Sequence, residues 1–366
     1  MMFIPVFYLP KTVLFPKNDS VCRVGFIIRG GVGDLILAIN FIKNFHDYLR
    51  AENASLELWI DLIVPDKRGH LDIVRTLARG QEFIHRVCGF HQMPRYYDLL
   101  VEIIRFSEVL FAKEKKIARL SPRLSSWIKT VKAFRKTSAY AYAHGSPGYF
   151  LGNQTTLMLG QKRLSQADVG SVIGVQTSFR PIPALDAGEI KKRFDLTGPF
   201  LTLQRGAGGK EGDRNTKLWP VEKYARLVQL LRRARPDVAV VQLGVEKNAQ
   251  IEGVTRDLRG KTSFEELMAL SAEAACHVDA ECGIVHLRHF LTGKPSVVLF
   301  GPTDDRLYGY GENINLRSAG SCGGGCEWIT SDYMRRCPRG FELPPCMEDI
   351  SPEEVFRAVE TVLKSV

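Results

Sequence analysis

The stretch from residue 276 to residue 304 limits the possible folds of this 366-residue chain more than any other part of the sequence. Its pattern predicts a polar loop, an apolar helix that ends at Gly293, a strand and a second loop, which together make half of a parallel α/β unit. Ligands bind at the carboxyl ends of the strands in such sheets, so we expect Asp279, Glu281 and Thr303 to share one crevice. The alternative is an ordinary crossover whose polar loop residues are only solvated.

A second turn of this kind lies near the start of the chain. Val21–Ile28 is predicted to be a strand, the glycine-rich turn 29–33 follows it, and Asp34 begins a helix with apolar residues at helical spacing. Free backbone N–H groups in such a turn bind anions. An acid at the helix start also caps the helix, and the pattern around Asp34 taken alone favours that role. The turn lacks the G-x-G-x-x-G spacing of a dinucleotide site.

A further α/β unit follows a predicted linker at 181–186. Phe200–Gln204 is predicted to be its first strand, a glycine-rich loop follows, and Lys217-Leu-Trp-Pro220 precedes a helix that proline favours in its first turn. A buried strand at 238–244 then leads to Glu246. This carboxylate either binds both hydroxyls of a ribose or lies at the start of a helix, and the sequence does not separate the two roles.

The remaining elements follow from periodicity. We predict the following strands and helices: strands 56–64 and 98–104, and helices near 70–79, 107–136 (with a break at Pro122), 187–193, 264–274 and 352–366.

Four of these segments together resemble glycosyltransferase family 9, the ADP-heptose:lipopolysaccharide heptosyltransferases. The segments are Gly33-Asp-Leu-Ile-Leu37, Arg205-Gly-Ala207, Lys217-x-Trp-Pro220, and an acidic residue followed by Gly283-x-x-His286-Leu, Gly-Lys-Pro and Gly-Pro-Thr-Asp304. The resemblance implies the α/β fold called GT-B, in which two Rossmann-like domains face each other across a cleft. We place an acceptor-binding domain at 1–183, a donor-binding domain at 184–349, and a helix at 350–366 that packs back toward the first domain.

The resemblance also implies roles for individual residues. Asp34 beside Gly33 is the base that deprotonates the acceptor hydroxyl, and Lys217 faces the donor diphosphate, although the insertion 210–216 leaves its placement open. Glu281 and Cys282 stand where Asp and Ser or Thr are usual, and Asp279-Ala-Glu281 imitates a metal-binding D-x-D motif. A lysine and helix N-termini offer a route without metal, so we expect no cofactor in catalysis. The residues expected to bind substrate are Gly33, Arg205, Gly206, Ala207, Glu246, Asp279, Glu281, Gly283, Ile284, His286 and Thr303.

Half of the eight cysteines crowd into one short glycine- and proline-rich segment, 322–346. The four are Cys322, Cys326, Cys337 and Cys346. Four thiols within this span can bind zinc or iron, and some protein-modifying heptosyltransferases hold iron in this way. The spacing does not match a standard C-x2-C pair, so four reduced structural cysteines are the alternative. The scatter of the other four favours a reducing cytoplasm.

The formal net charge of +10 is concentrated, because residues 111–163 hold eleven Lys or Arg and the single acid Glu114. A basic surface with an apolar, Trp-containing stripe is typical of contact with a membrane or an anionic ligand, and a solvated face over a core stripe explains it equally well. We see no nucleic-acid-binding motif. The apolar start 1–10 lacks the basic lead of a signal peptide. We therefore expect a cytoplasmic protein with or without peripheral contact at the inner membrane face.

The sequence thus predicts an inverting, metal-independent glycosyltransferase that moves heptose from ADP-heptose to a lipopolysaccharide core or a related anionic glycan. A transferase that uses another nucleotide sugar or a protein acceptor is one alternative. A non-catalytic protein that binds a sugar nucleotide or a glycan is another.

Overall fold

The structure is a computed structural model. It describes residues 20–65, 69–94, 96–104, 106–138, 140, 162–163, 167–174, 177–206, 216–320, 322, 324–328, 330 and 332–365. Its strands are β1 Val21–Ile28, β2 Glu57–Val64, β3 Arg86–Gly89, β4 Leu99–Ile103, β5 Ser107–Ala112, β6 Phe200–Gln204, β7 Ala239–Leu243, β8 Arg256–Asp257, β9 Cys276–Ala280, β10 Val297–Phe300 and β11 Ile314–Arg317. Its helices are α1 Val32–Glu52, α2 His70–Ala78, α3 Glu114–Leu120, α4 Pro122–Phe134, α5 Ala187–Arg193, α6 Val221–Ala234, α7 Phe264–Glu273, α8 Gly283–Thr292, α9 Asp305–Tyr308, α10 Pro345–Glu348 and α11 Pro352–Ser365.

The strands form two sheets, one in each half of the chain. The first has the order β3-β2-β1-β4-β5 and the second the order β11-β10-β9-β6-β7-β8. All pairings are parallel except that of β5, which runs antiparallel to β4 at the edge of the first sheet. In both sheets the strand order reverses beside the first strand, between β1 and β4 and between β6 and β9. A doubly wound sheet binds its ligand at this reversal, so the fold offers two such points.

Two segments differ from their predicted secondary structure. Ser107–Ala112 is the edge strand β5 and not the start of a helix, and the helical part begins at Glu114. The predicted polar loop that carries Asp279 is the strand β9, which lies between β6 and β10. Its polar side chains, including His277 opposite Thr202, are buried inside the sheet layer and bond to one another there. The break at Pro122 is observed, and Ser121 caps α4 by accepting from the Leu124 N–H.

The two domains share part of their hydrophobic core. Met268 of α7 and Leu287 and Phe290 of α8 are buried in the same cluster as the apolar residues of α1 and β1. The starts of α1 and α8 touch, because a Cβ on Gly283 would lie 3.2 Å from the backbone N of Gly33. Glycine at these two positions therefore allows two helix N-termini from different domains to meet.

The C-terminal helix α11 packs against a different domain from the one we expected. Its residues Val355, Val359 and Val362 are buried in the core of the second domain, together with Leu201 and Trp219. The helix packs on α6, β9 and β10. The contacts of α11 thus place it on the second domain, where we expected it to return to the first.

The apolar stripe of the basic segment faces the core. Trp127 is fully buried, and its ring centroid lies 5.2 Å from that of Phe45 in α1. Leu124, Ile128 and Val131 belong to the same cluster. The stripe is therefore occupied by intramolecular packing and does not present Trp127 to a membrane. In the residues that the structure describes, no helix combines the length and the apolar character that crossing a bilayer requires.

Candidate active site at the interdomain cleft

Asp34 lies in the first turn of α1, at the reversal point of the first sheet. Its Oδ2 accepts a hydrogen bond of 2.9 Å from the Gly31 N–H, which is the capping geometry that the sequence indicates. Its Oδ1 forms an ion pair with Nη2 of Arg163. Both carboxylate oxygens of the candidate base are therefore engaged by groups of the same domain.

Arg163 is a site residue that the sequence did not reveal. Its side chain is only 13% exposed, and its guanidinium lies 5.7 Å from the ring centroid of Tyr308 in the second domain. Burial lowers its pKa, but Asp34, Tyr308 and Glu281 together raise that pKa above the ordinary arginine value. The cation is thus fixed in the field of acids from both domains. Nothing in the local sequence separates Arg163 from the other basic residues of its run.

Lys217 and Glu281 meet at the reversal point of the second sheet. Lys217 Nζ lies 2.5 Å from Glu281 Oε2 and 3.5 Å from the Glu281 carbonyl oxygen. Burial alone would raise the pKa of Glu281. Lys217 and His286 have the larger, opposite effect, so this pKa lies well below its ordinary value. Burial likewise opposes the charge of Lys217, and Glu281 raises that pKa above its ordinary value. Both groups are therefore held in their charged forms.

His286 connects this pair to the first domain. Its Nε2 lies 3.5 Å from Glu281 Oε1, and its Nδ1 shares a hydrogen bond of 2.6 Å with the Tyr310 hydroxyl. A Cβ on Gly33 would lie 2.6 Å from Cδ2 of the His286 ring. The glycine before Asp34 thus makes room for the histidine of α8. Gly283 is the first residue of α8, and Ile284, the next residue, is buried.

Asp279 is placed differently from the other candidate residues. It is fully buried in β9, where its Oδ2 accepts from the Cys282 thiol at 2.7 Å and lies 3.5 Å from Nε2 of His277. His277 Nδ1 shares a hydrogen bond of 2.9 Å with the Thr202 hydroxyl. Burial raises the pKa of Asp279, against the opposing effect of His277. The carboxylate therefore supports the start of α8 from beneath and does not line the cleft directly.

The other residues predicted to bind substrate lie in the loops after β6, β7 and β10. Arg205 is nearly buried, and its Nε donates to the Trp219 carbonyl oxygen at 3.1 Å, which links the loop after β6 to the start of α6. Gly206 follows β6, and a Cβ on it would lie 3.0 Å from the side chain of Asn248 in the loop after β7. Glu246 lies in that loop after β7 and is exposed. Ala207 lies outside the described residues, as does most of the insertion that follows it.

Thr303 is buried in the loop after β10, and the next residue, Asp304, contacts an acid that the sequence analysis missed. Glu327 is fully buried; its Oε1 accepts from the Asp304 N–H at 2.6 Å and its Oε2 accepts from the Tyr308 hydroxyl at 3.2 Å. It also contributes to the raised pKa of Lys217. Its position next to Cys326 in the cysteine-rich segment is the sequence signal that could have pointed to it. Glu327 therefore ties that segment to the cleft.

The four cysteines of that segment are all buried, with exposures of 3% to 7%. They are close in space, because Cys322, Cys326 and Cys337 all add to the effect of burial that raises the pKa of Cys346 to about 12. Among the described residues, however, no set of three or more His, Cys, Asp or Glu is placed so that it could hold a metal ion. The four thiols are thus gathered in one buried cluster that, among the described residues, lacks the ligand geometry of a metal site.

Basic residues of segment 111–163 lie at two opposite edges of the first sheet, namely at the amino ends and at the carboxyl ends of its parallel strands. Lys113 and Lys116 both pair with the buried Asp98, at 2.9 and 2.8 Å, and Lys116 also donates to the Val21 carbonyl oxygen at the start of β1. This edge is about 25 Å from the carboxyl end of the eight-residue β1, at roughly 3.3 Å per residue. Arg135, in contrast, pairs with Glu108 of β5, near the cleft edge of the sheet.

Comparison with known proteins agrees with this fold. Residues 171–322 match the model of glycosyltransferase family 9 (heptosyltransferase), which is less than half of the chain and includes most of the second domain. No match was found among curated proteins.

Solved structures share the fold of nearly the whole chain. ADP-heptose lps heptosyltransferase II of E. coli is 16% identical, with a TM-score of 0.57 over 94% of this chain and 99% of that chain. A family 9 glycosyl transferase from Veillonella parvula DSM 2008 is 16% identical, with a TM-score of 0.54 over 95% and 99%. TibC from enterotoxigenic E. coli H10407, described as an iron-containing dodecameric glycosyltransferase, is 14% identical, with a TM-score of 0.59 over 94% and 77%. Residues 171–322 thus resemble the family 9 heptosyltransferases, and the chain as a whole shares the GT-B fold of the solved heptosyltransferase structures.

Proposed function

We propose that this glycosyltransferase moves heptose from ADP-heptose to a lipopolysaccharide core or a related anionic glycan, with inversion at the sugar and without a catalytic metal. The observation that carries the proposal is the pairing of two sites across one cleft. Asp34 lies at the reversal point of the first sheet, and Lys217 with the start of α8 lies at that of the second. His286 contacts both sides.

A single displacement accounts for the chemistry. The acceptor oxygen attacks the anomeric carbon, the bond from that carbon to the diphosphate oxygen breaks, and ADP leaves with the electron pair. Asp34 receives the proton of the acceptor hydroxyl as general base. Lys217 and the N–H groups at the start of α8 stabilise the negative charge that develops on the diphosphate. Attack opposite the leaving group inverts the configuration, and each role is filled by a residue of this chain.

The donor preference rests on the family resemblance and on two solved neighbours. One of them is described as an ADP-heptose heptosyltransferase, and another structure of TibC is described as a complex with ADP-D-beta-D-heptose. We place the nucleoside beside the exposed Glu246, where a carboxylate can accept from both ribose hydroxyls. The proposal also includes the anionic glycan as acceptor, a cytoplasmic location and peripheral contact with the inner membrane.

A transferase with a protein acceptor is the second candidate. The clustered cysteines support it, because the resemblance to protein-modifying heptosyltransferases lies there, and TibC is described as iron-containing. No step of the proposed reaction uses this cluster. A different nucleotide sugar is the third possibility, since Glu281 and Cys282 replace the usual family residues at the donor site.

The test is release of nucleoside diphosphate from a panel of ADP-heptose, ADP-glucose, UDP-glucose and GDP-mannose. Vesicles that carry a truncated lipopolysaccharide core and a purified autotransporter protein serve as the two acceptors. We expect ADP release from ADP-heptose that requires the glycolipid and is lost in Asp34→Asn. Asp72→Asn is the matched control, because Asp72 has the same charge on an exposed turn of α2. Release only with protein supports the second candidate, and no release from any ADP-sugar overturns the donor assignment.

A further inference from the structure

The cleft contains two cations and two acids arranged as two closed ion pairs. Arg163 pairs with Asp34, and Lys217 pairs with Glu281. All four side chains are at most about a third exposed, and three of them are at most 13% exposed. The group proposed for proton transfer and the group proposed for charge stabilisation are therefore each paired with a side chain of opposite charge.

Arg163 lies where a donor diphosphate would reach it. Its guanidinium is beside the ring of Tyr308, whose hydroxyl donates to Glu327. Tyr308 precedes the loop that carries Tyr310. The neighbouring Lys162 donates to the Gly309 carbonyl oxygen of that loop at 3.4 Å. Glu281, the partner of Lys217, also acts on the charge of Arg163. The arginine of the first domain thus points into the donor side of the cleft.

We propose that the donor diphosphate takes Arg163 away from Asp34, so that donor binding frees the carboxylate that accepts the proton. The inference rests on the proposed function, because it requires a nucleoside diphosphate in the cleft. A planar guanidinium matches two phosphate oxygens as well as it matches a carboxylate, so the diphosphate can replace Asp34 as its partner. Arg163 is then a donor-binding residue that also holds the base inactive until the donor is in place.

This exchange has a thermodynamic consequence that is independent of catalysis. If the diphosphate and Asp34 compete for one cation, the charge of Asp34 weakens donor binding, and the two effects are reciprocal. Removal of that charge should strengthen donor binding, but only while Arg163 is present. Asn at position 34 can still cap α1, so this change does not remove the local structural role of the residue.

The experiment is calorimetric titration of ADP into four proteins: wild type, Asp34→Asn, Arg163→Gln and the double variant. We expect about fivefold tighter binding to Asp34→Asn, the size of a partly exposed ion pair. We expect about tenfold weaker binding to Arg163→Gln, as for loss of a hydrogen bond to a charged group. In the double variant the gain from Asp34→Asn should be absent. Asp72→Asn and Arg75→Gln, which remove an exposed pair on α2, should leave ADP binding unchanged.

The outcomes separate this inference from the proposed function. Suppose that wild type binds ADP. If Asp34→Asn then binds ADP no more tightly than wild type, or if the double variant binds ADP more tightly than Arg163→Gln alone, the exchange is wrong and the nucleotide-sugar proposal stands. If wild type binds no ADP, both are overturned. Thermal unfolding of each variant shows whether a change in binding reflects a loss of folded protein, and a variant with unchanged Tm and the expected shift supports the exchange.

Discussion

Lys217 and Glu281 form an ion pair in which Nζ lies 2.5 Å from Oε2, with both side chains almost removed from solvent. Lys217 precedes α6 and Glu281 precedes α8, so the pair joins two loops of the second domain at the reversal point of its sheet. His286 adds a third charged or polar partner on the side of the first domain. Contacts within the protein thereby fix the side chains on the donor side of the cleft.

The first prediction concerns this pair. Lys217→Met leaves the Glu281 carboxylate buried without its cation and should lower the free energy of unfolding by about 3 kcal/mol. Lys217→Met/Glu281→Gln should recover most of that loss, because no buried charge is left alone. Urea unfolding measures both. Arg226→Met, which removes an exposed pair with Glu353, is the control and should cost less than about 1 kcal/mol.

The pH dependence of the same pair follows from its shifted pKa values. The pKa of Glu281 is lowered, so its stabilisation is complete above its ordinary value of 4.5 and is lost as pH falls below it. The pKa of Lys217 is raised, so its stabilisation is complete below its ordinary value of 10.5 and is lost as pH rises above it. In a His286→Gln background, which removes the other titratable group in contact with Glu281, the difference in stability between the protein with the pair and the double variant should therefore be constant from pH 5 to pH 10. A slope within that window would contradict the pairing.

The second prediction concerns Asp279, whose raised pKa means that folding favours its neutral form. The penalty for the buried charge is absent below the ordinary value of 3.8 and grows as pH rises through the folded pKa. Asp279→Asn should therefore be no less stable than wild type at pH 7, and it should lose stability relative to wild type at pH 4. Thermal unfolding at the two pH values measures this. A variant that is much less stable at pH 7 would show that the charged form is the one that the fold requires.

The third prediction separates two adjacent lysines of α3. Lys116 contacts the buried Asp98, so Lys116→Met should destabilise the protein by about 2 kcal/mol. Lys115 is exposed on the same helix and forms no ion pair with the described residues, so Lys115→Met should change stability by less than about 0.5 kcal/mol. Urea unfolding of the two variants is the measurement, and equal effects would mean that the Asp98 cluster carries no stability.

The fourth prediction addresses acceptor attraction. Lys136 follows Arg135 near the cleft edge and is in a position to guide an anionic acceptor, so Lys136→Glu should weaken acceptor binding at low salt, while Lys115→Glu should not. The effect should fade as the Debye length shrinks from about 10 Å at 0.1 M to about 3 Å at 1 M salt. Binding to anionic glycolipid vesicles and ADP binding are measured in parallel. A merely solvated surface predicts wild-type vesicle binding for both variants.

The fifth prediction concerns the four buried cysteines. Because the described residues do not form ligand geometry, we expect less than one zinc or iron atom per chain by elemental analysis. We also expect the thiols to react with a bulky disulfide reagent only after unfolding, since each is at most 7% exposed. One metal atom per chain that is lost in Cys346→Ser would contradict this and restore the metal hypothesis.

Much of the fold was present in local patterns. Helix 187–193 and strand 200–204 lie where periodicity and capping predict them, and the turn before Asp34 has the predicted form. These features depend on neighbours in the chain, such as Asp186, which caps the first of them by accepting from the Glu189 N–H. The family resemblance added the GT-B architecture, because its motifs recur at the ends of strands in both halves. The roles of the individual site residues stay predictions.

The tertiary structure decided what depends on distant partners. Strand β9 resembled a loop because His277 and Asp279 interrupt its apolar run, and only the neighbouring strand, which supplies Thr202, makes their burial possible. The ion pair of Asp34 joins it to a residue 129 positions away, in a segment without a recognisable motif. The sequence by itself determined the elements and the residue types that their turns carry. Which charges meet in the cleft was decided by packing, because an ion pair needs only proximity in space and leaves no periodic signal along the chain.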